Sequence, residues 1–312
     1  MLNKRDSNPE VLAEIVRSEM VESRHRGFLL LLNADGSELF SLGNADALVF
    51  PRSSIKCIQA SAMVRAGLSL EPRLLALVAA SHSGSPMHQD GAVEILRQAG
   101  LTVDALQNAK DLPIGEVDRR NWGTQAPTSL AQNCSGKHAG MLATCVANNW
   151  PIENYLSPVH PLQVAIREEL EELAEEKVAL ISVDGCGAPL FVNSLQAIAR
   201  AIHKITISND PVHQSVIEAC RNFPEMVAGE GRLTTRKMRE IPGLFMKEGA
   251  EAVNVGSMPD GRTFAYKIED GSPRASAPIL AAALKKLGIT SIDEPVYIHG
   301  GGKVVGSIRA NF

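Results

Sequence analysis

Two kinds of apolar spacing divide the chain. Towards its ends, short runs of β-branched, leucine and aromatic residues are broken by turn residues. Phe28 to Asn33, Ala34-Asp35-Gly36 and Leu39 to Leu42 predict a hairpin closed by an Asp-Gly turn. Leu244 to Lys247, Glu251 to Val255 and Thr263 to Ile268 predict three more strands. Val296 to Ile298 and Val304 to Ile308 predict a last pair around Gly300-Gly301-Gly302. Between these groups the apolar residues recur at helical spacing. Helices are predicted from Ser53 to about Ala66, Asp90 to Gln98, Ala139 to Ala147, Gln163 to Lys177, Ser194 to Ile205 and Pro211 to Asn222, with Ser276 to Leu287 ahead of the last strands. The run Leu74 to Ala80 fits a buried helix or a buried strand, and Val178 to Val183 a short strand. Residues 1 to 10 read as a loose polar start and Ala105 to Leu130 as a long connection, while the acidic helix from Gln163 should present a solvated face. Strands at both ends and helices between them predict an α/β (α+β) fold, with an antiparallel sheet built from both chain ends and a helical middle lobe. One domain spanning 1–312, or two closely packed lobes, accommodates this order.

Composition narrows the function. The chain has 312 residues, 45% of them apolar, enough for a large core. A net charge of -4 gives no basic surface for nucleic acid or an anionic membrane. The longest apolar runs are too short to span a bilayer, and no hydrophobic segment follows the polar start, so a cytoplasmic protein is expected. Five cysteines, an odd number, speak against a disulfide framework. Cys57, Cys145 and Cys220 fall in helical, partly apolar stretches. Cys134 and Cys186 fall in polar, glycine-containing loops, where ligands and reactive groups gather.

Candidate chemistry starts at Phe50-Pro51-Arg52-Ser53-Ser54-Ile55-Lys56. Pro51 suits a helix entry, and on a helix Ser53 and Lys56 are one turn apart on one face. A partly desolvated lysine near a helix start loses its proton more readily, and a serine beside it becomes a nucleophile without a histidine. Further short polar motifs stand at predicted element ends: Ser81-His82-Ser83-Gly84, Asn133-Cys134-Ser135-Gly136-Lys137-His138, Asp184-Gly185-Cys186-Gly187-Ala188-Pro189 and Lys267-Ile268-Glu269-Asp270-Gly271. The plain alternatives are helix caps for Ser81 and Ser83, packing thiols for the two cysteines, and a surface strand lysine for Lys267.

Together these motifs, with Val21 to Gly27 and Met226 to Arg232, resemble the Rhizobium-type L-asparaginase II family over most of the chain. The resemblance implies a fold similar to serine β-lactamases and penicillin-binding proteins. It implies hydrolysis of the side-chain amide of L-asparagine through a serine acyl-enzyme, served by two serine-lysine pairs, Ser53 with Lys56 and Ser81 with Lys267. Either serine can be the nucleophile on this reading; Ser53 is favoured, with Ser81 as relay. The resemblance further implies zinc held by Cys134, Lys137 and Cys186, substrate contacts from Arg52, Asp184 and His138, with a plain salt bridge as the alternative for Arg52, no organic cofactor, and a homodimer. For His82 it implies a hydrogen-bonding role, and it leaves His25 unassigned. Two positions depart from the family pattern. Ser85 stands where an acidic residue is common, which puts fine substrate preference in doubt, and Cys57 stands where proline is common. Rival readings are a glutaminase, an esterase or β-lactamase-like hydrolase, and a non-enzymatic zinc or amino-acid binder on the same scaffold.

Overall fold

The computed structural model describes residues 8–292 and 295–312; positions 1–7 of the predicted loose start lie outside the described residues. In chain order the strands are β1 (Glu10–Arg17), β2 (Met20–Leu32), β3 (Glu38–Leu42), β4 (Leu48–Val49), β5 (Leu180–Val183), β6 (Pro189–Ser194), β7 (Phe245–Gly249), β8 (Val253–Ser257), β9 (Thr263–Ile268), β10 (Val296–Gly300) and β11 (Lys303–Ala310). The helices are α1 (Lys56–Arg65), α2 (Pro72–Val78), α3 (Pro86–Gln98), α4 (Glu116–Trp122), α5 (Ser135–Ala147), α6 (Pro161–Ala174), α7 (Leu195–Ile207), α8 (Pro211–Asn222), α9 (Pro224–Val227), α10 (Leu233–Glu240) and α11 (Ser276–Lys286).

The sheet is assembled from both ends of the chain, as the strand order predicts. Its order is β10-β11-β1-β2-β9-β8-β7, antiparallel throughout, with β3 also paired to β2. β1 joins the two ends, setting Ile15 opposite Ile308. The sequence reading missed β1 because Val11, Leu12, Ala13, Ile15 and Val16 do not alternate with polar residues. Helices cover both faces of the sheet, so both sides of β1 are apolar: Leu12, Ala13 and Ile15 are all buried. α7 packs on β9, β2 and β8, and α11 on β11 and β1. The Tyr266 hydroxyl donates to the Ser276 carbonyl at the start of α11, so the face opposite Tyr266 belongs to the helical lobe.

Several elements differ from expectation. The predicted helix from Ser53 is two pieces, a 3-10 turn over Arg52–Ile55 and then α1. The ambiguous run at Leu74 is helix α2, begun by Pro72 at a position where its missing N–H costs nothing. β6 went unread because Pro189 and Asn193 mask a segment that is buried along its whole length. The long connection contains α4, and a helix not foreseen, α10, follows Arg232. The acidic helix α6 is mostly solvated, but Glu169 is buried and bonded to Arg65 and His213. A small second sheet, β4-β6-β5, lies next to the chain that enters Pro51.

Gly27 lies where β1, β2 and β9 meet, paired with Glu10 and Ile268. A Cβ there would lie 2.0 Å from the Lys267 carbonyl oxygen. Gly27→Ala should therefore destabilise the sheet by about 3 kcal/mol, read as a lower urea midpoint. An unchanged midpoint would show that β2 and β9 separate at little cost.

Candidate active site

The site is built on the turn Arg52–Ile55. Pro51 fixes its own φ at -67°, and Arg52 then takes a left-handed φ of 53°. A non-glycine residue held there costs about 1 kcal/mol or more, so the surroundings must hold it. Strand β7 does so. Gly249, its last residue, passes so close that a Cβ would lie 2.7 Å from the Pro51 carbonyl and 3.1 Å from the Ser54 nitrogen. On the other side Arg52 Nε donates to Asp184 Oδ1 at 2.7 Å. Ser53 is buried, and among the described residues no hydrogen bond engages its hydroxyl.

Lys56 does not point at Ser53 in the simple way that one-turn spacing suggests. The turn is 3-10 up to Ile55, and Lys56 opens α1 with its ammonium donating to the Ala80 carbonyl (2.5 Å) and lying 3.0 Å from Cys134 Sγ. It is 1% exposed. Its side chain thus bridges α1, the residue before Ser81, and the start of α5. A second buried lysine, which the sequence reading did not single out, stands beside it. Lys247 on β7 donates to its neighbour's carbonyl at Glu248 (2.6 Å). Burial first, then the nearby Lys56 and Arg232 charges, push its pKa well below that of an ordinary lysine. Within Phe-Met-Lys-Glu-Gly it reads as one residue of a strand. The signal that was available is the triplet Lys247-Glu248-Gly249, which takes the form of the Lys-x-Gly triplet found with Ser-x-x-Lys in penicillin-recognising enzymes.

Cys134, Lys137 and Cys186 meet as expected. Cys134 and Cys186 pack together. A hydrogen bond with the Cys134 thiol first, and the Lys137 charge second, bring Cys186 down to about 5 despite its burial. The same bond and burial push Cys134 up to about 12. Lys137 Nζ is 3.5 Å from Cys186 Sγ, and Asp184 Oδ2 is 4.0 Å from the same sulfur. Burial alone would lower the Lys137 pKa, but the cysteines and Asp184 outweigh it and raise it. Burial likewise opposes the charge on Asp184, and Lys137 and Arg52 hold its carboxyl below the usual range. As donors for zinc the set offers two sulfurs and one amine, which suits a thiophilic cation once the thiol protons and one lysine proton leave. Among the described residues no group of three His, Cys, Asp or Glu side chains is placed to hold a metal.

His138 is buried on α5. Tyr155 takes a hydrogen bond from Gln107 N, and its hydroxyl oxygen lies 2.8 Å from His138 Nδ1 in a further hydrogen bond. His138 Nε2 is buried with no hydrogen-bond partner among the described residues.

The Ser81 loop is held from several sides. Ser81 Oγ accepts from Asn133 Nδ2 at 2.8 Å, and Ser81 N donates to the Val227 carbonyl. His82 Nδ1 accepts from Gly84 N, so its Nε2 carries the proton and donates to Ser135 Oγ at 2.9 Å. His82 stacks on His88, with centroids 4.8 Å apart, and His88 bonds Ser85 and the Glu225 carbonyl. Ser83 is bonded to the Ala228 carbonyl and caps no helix.

Lys267 is elsewhere. Its ammonium donates to the carbonyls of Glu251 and Ile268, both at 2.6 Å, and makes no bond to Ser81. Register explains this. Lys267, Val253 and Gly249 lie opposite one another across β9, β8 and β7, so Lys267 is two strands away from the turn, about 10 Å. Lys247 lies on the same face but on the edge strand itself. Lys267 lines an open cleft of about 390 Å³ with Phe50, Arg52, Ser182, Val183, Leu190 and Glu251.

Burial, with help from neighbouring charges, lowers the His88 pKa from 6.5 to about 4, and lowers that of His82. Each is more easily protonated in the unfolded chain. Their contribution to stability is therefore complete above pH 6.5 and is lost as pH falls towards 4. The His88 shift alone corresponds to about 3 kcal/mol. Guanidinium unfolding at pH 7 and pH 4.5 should show this loss, and His88→Gln should flatten it; parallel pH profiles for the two proteins would show that His88 does not contribute.

With this geometry in view, comparison with known proteins gives one close relationship and several distant ones. The family model for L-asparaginase II matches residues 13–309. No curated protein matches the chain. Among solved structures, the crystal structure of Mglu in its native form is 12% identical with a TM-score of 0.43, covering 84% of this chain and 63% of that one. Mglu in its tris and glutamate form is 12% identical with a TM-score of 0.35, covering 89% and 62%. The chain thus spans less than two thirds of the length of these structures. The family match runs almost from end to end and takes in every motif that forms the site, and by it the chain belongs to the L-asparaginase II family.

Proposed function

We propose that this protein is an amidohydrolase that cleaves the side-chain amide of L-asparagine to L-aspartate and ammonia. The observation that carries this reading is the strained turn that holds buried Ser53, with Lys56 opening α1 just after it and β7, the strand of buried Lys247, packed against it. We read that arrangement as β-lactamase-like: a Ser-x-x-Lys turn opening a helix, facing a Lys-x-Gly strand.

Ser53 attacks the amide carbon. Lys247, whose pKa burial lowers, takes the serine proton and passes it to the departing nitrogen, so that ammonia leaves and an ester forms. Water then cleaves the ester. The N–H of Ser53, at the start of the turn, is the donor for the oxyanion. The loop after Ser81 is less suited to that task, because the N–H groups of Ser81 and Gly84 are already bonded to Val227 and His82. Ser81 relays protons. Lys267, committed to carbonyls of the outer cleft, has no proton-transfer role in this scheme. His138 Nε2, Asp184 and Arg52 contact the polar head of the substrate.

Cys134, Cys186 and Lys137 would hold zinc, which supplies a positive charge that orients the substrate. The resemblance also carries the expectation of a homodimer in the cytoplasm; among the described residues no helix is long and apolar enough to cross a membrane.

Purified protein should release ammonia from L-asparagine, and Ser53→Ala should lower kcat by at least about 1,000-fold. Full turnover by Ser53→Ala would remove Ser53 from the mechanism, and turnover of an ester or glutamine without asparagine would reassign the substrate. Metal analysis should find about one zinc per chain, lost when Cys134 and Cys186 are both changed to alanine; equal zinc in parent and variant would place the metal elsewhere.

A further inference from the structure

The cleft beside Arg52 is much larger than the proposed reaction requires. An unsubstituted amide releases ammonia, a molecule about the size of water, roughly 30 Å³. The cleft encloses about 390 Å³, within the range that accommodates ligands of many atoms. Its lining is also specific. Phe50, Val183 and Leu190 give it an apolar wall, and Arg52 and Lys267 give it two cations. Arg52 is tied to Asp184 through Nε alone, and its terminal nitrogens make no hydrogen bond among the described residues. Lys267 uses two of its three N–H groups on carbonyl oxygens and keeps one. The carboxylate that shares this lining, Glu251, turns towards Gly271, where an added Cβ would lie 2.1 Å from Oε2.

The two sides of Arg52 differ in kind. Inward are Lys56, Cys134, Lys137 and Cys186, all buried and polar or ionised. That side suits the charged head of an aspartyl group. Outward, Val183 is 70% exposed and Phe50 45%. That side suits the part of a substrate that must depart into water.

We propose that this cleft is a subsite for the amine portion of N4-substituted asparagines, in particular β-aspartyl dipeptides whose second residue has an apolar side chain. The apolar wall takes that side chain, and Lys267 with the free guanidinium edge of Arg52 takes its terminal carboxylate. The chemistry is that of the proposed amidase, on which the inference rests. A bond forms between Ser53 Oγ and the β-carbonyl carbon, the carbon–nitrogen bond breaks, and the free amino acid leaves with the serine proton. Water then splits the ester to give aspartate, so one water is consumed and nothing is oxidised or reduced.

Initial rates of the full-length protein on L-asparagine, β-L-aspartyl-L-leucine and β-L-aspartylglycine provide the test. Leucine should be released with a kcat/KM at least ten-fold above that for glycine release. Val183→Glu puts a negative charge on the rim, outside the catalytic groups. It should lower kcat/KM for the leucine dipeptide at least ten-fold and leave asparagine within two-fold. Lys267→Gln should raise KM for the leucine dipeptide about ten-fold with little change in kcat. Hydrolysis of asparagine without either dipeptide overturns the subsite and leaves the amidase intact, whereas hydrolysis of none of the three overturns both. Equal loss on asparagine and dipeptide in Val183→Glu, or collapse of kcat in Lys267→Gln, overturns the subsite.

Discussion

The site depends on a buried lysine head group. Lys56 is almost fully enclosed, and an unpaired ammonium in that position would cost several kcal/mol. It is answered by the Ala80 carbonyl and the Cys134 sulfur, from two segments far apart in sequence. Satisfying this one head group therefore fixes three things together: the start of α1, the entry to the Ser81 loop, and the N-terminus of α5. The neighbouring lysines are accommodated differently. Cys186, Cys134 and Asp184 raise the Lys137 pKa against the effect of burial. Lys247 lies near Lys56 and Arg232, and burial together with those charges lowers its pKa. Two lysines in one enclosed region thus have their pKa values pushed in opposite directions by their surroundings.

The sheet places a further lysine apart from these. Lys247 and Lys267 share a face, because each lies an even number of residues along its strand from the row through Gly249. What distinguishes them is position across the sheet. β7 is the edge strand at this end, and its glycine lets the backbone approach the Pro51–Ser54 turn, bringing Lys247 with it. Lys267 is two strands further in and reaches the surface beside β5 instead. Strand order therefore decides which lysine's strand packs against the turn.

Much of this was legible in the sequence. The short polar motifs at element ends, Ser53-Ser54-Ile55-Lys56, Ser81-His82, Cys134 to His138 and Asp184 to Cys186, do converge, and the sheet does draw on both chain ends. Other features were hidden for physical reasons. A 3-10 turn and an α-helix have similar sequence signals, so the direction of the Lys56 side chain could not be read from one-turn spacing. β1 and β6 are buried on both faces and lose the alternation that marks a strand. Lys267 drew attention through its Lys-Ile-Glu-Asp-Gly motif, whereas Lys247 sits in an ordinary-looking strand and becomes distinctive only when β7 meets the turn. Pairing a lysine with a serine needs register across several strands, and no local pattern encodes that.

Hydrogen bonding also bears on which serine attacks. A nucleophilic hydroxyl needs a lone pair free for the carbon and a base to receive its proton. Ser81 Oγ already accepts from Asn133, so part of its electron density is committed, and Lys56 presents donor hydrogens to the carbonyl just before it. Ser53 is free of both constraints: its hydroxyl is unengaged among the described residues, and the strand that packs against its turn carries Lys247, whose pKa burial lowers. The Asn133 bond suits Ser81 better to handing on a proton, since a hydroxyl that accepts one hydrogen bond can still donate another. The division of labour between the two serines thus follows from what each hydroxyl is already bonded to, and it favours Ser53 as the atom that attacks.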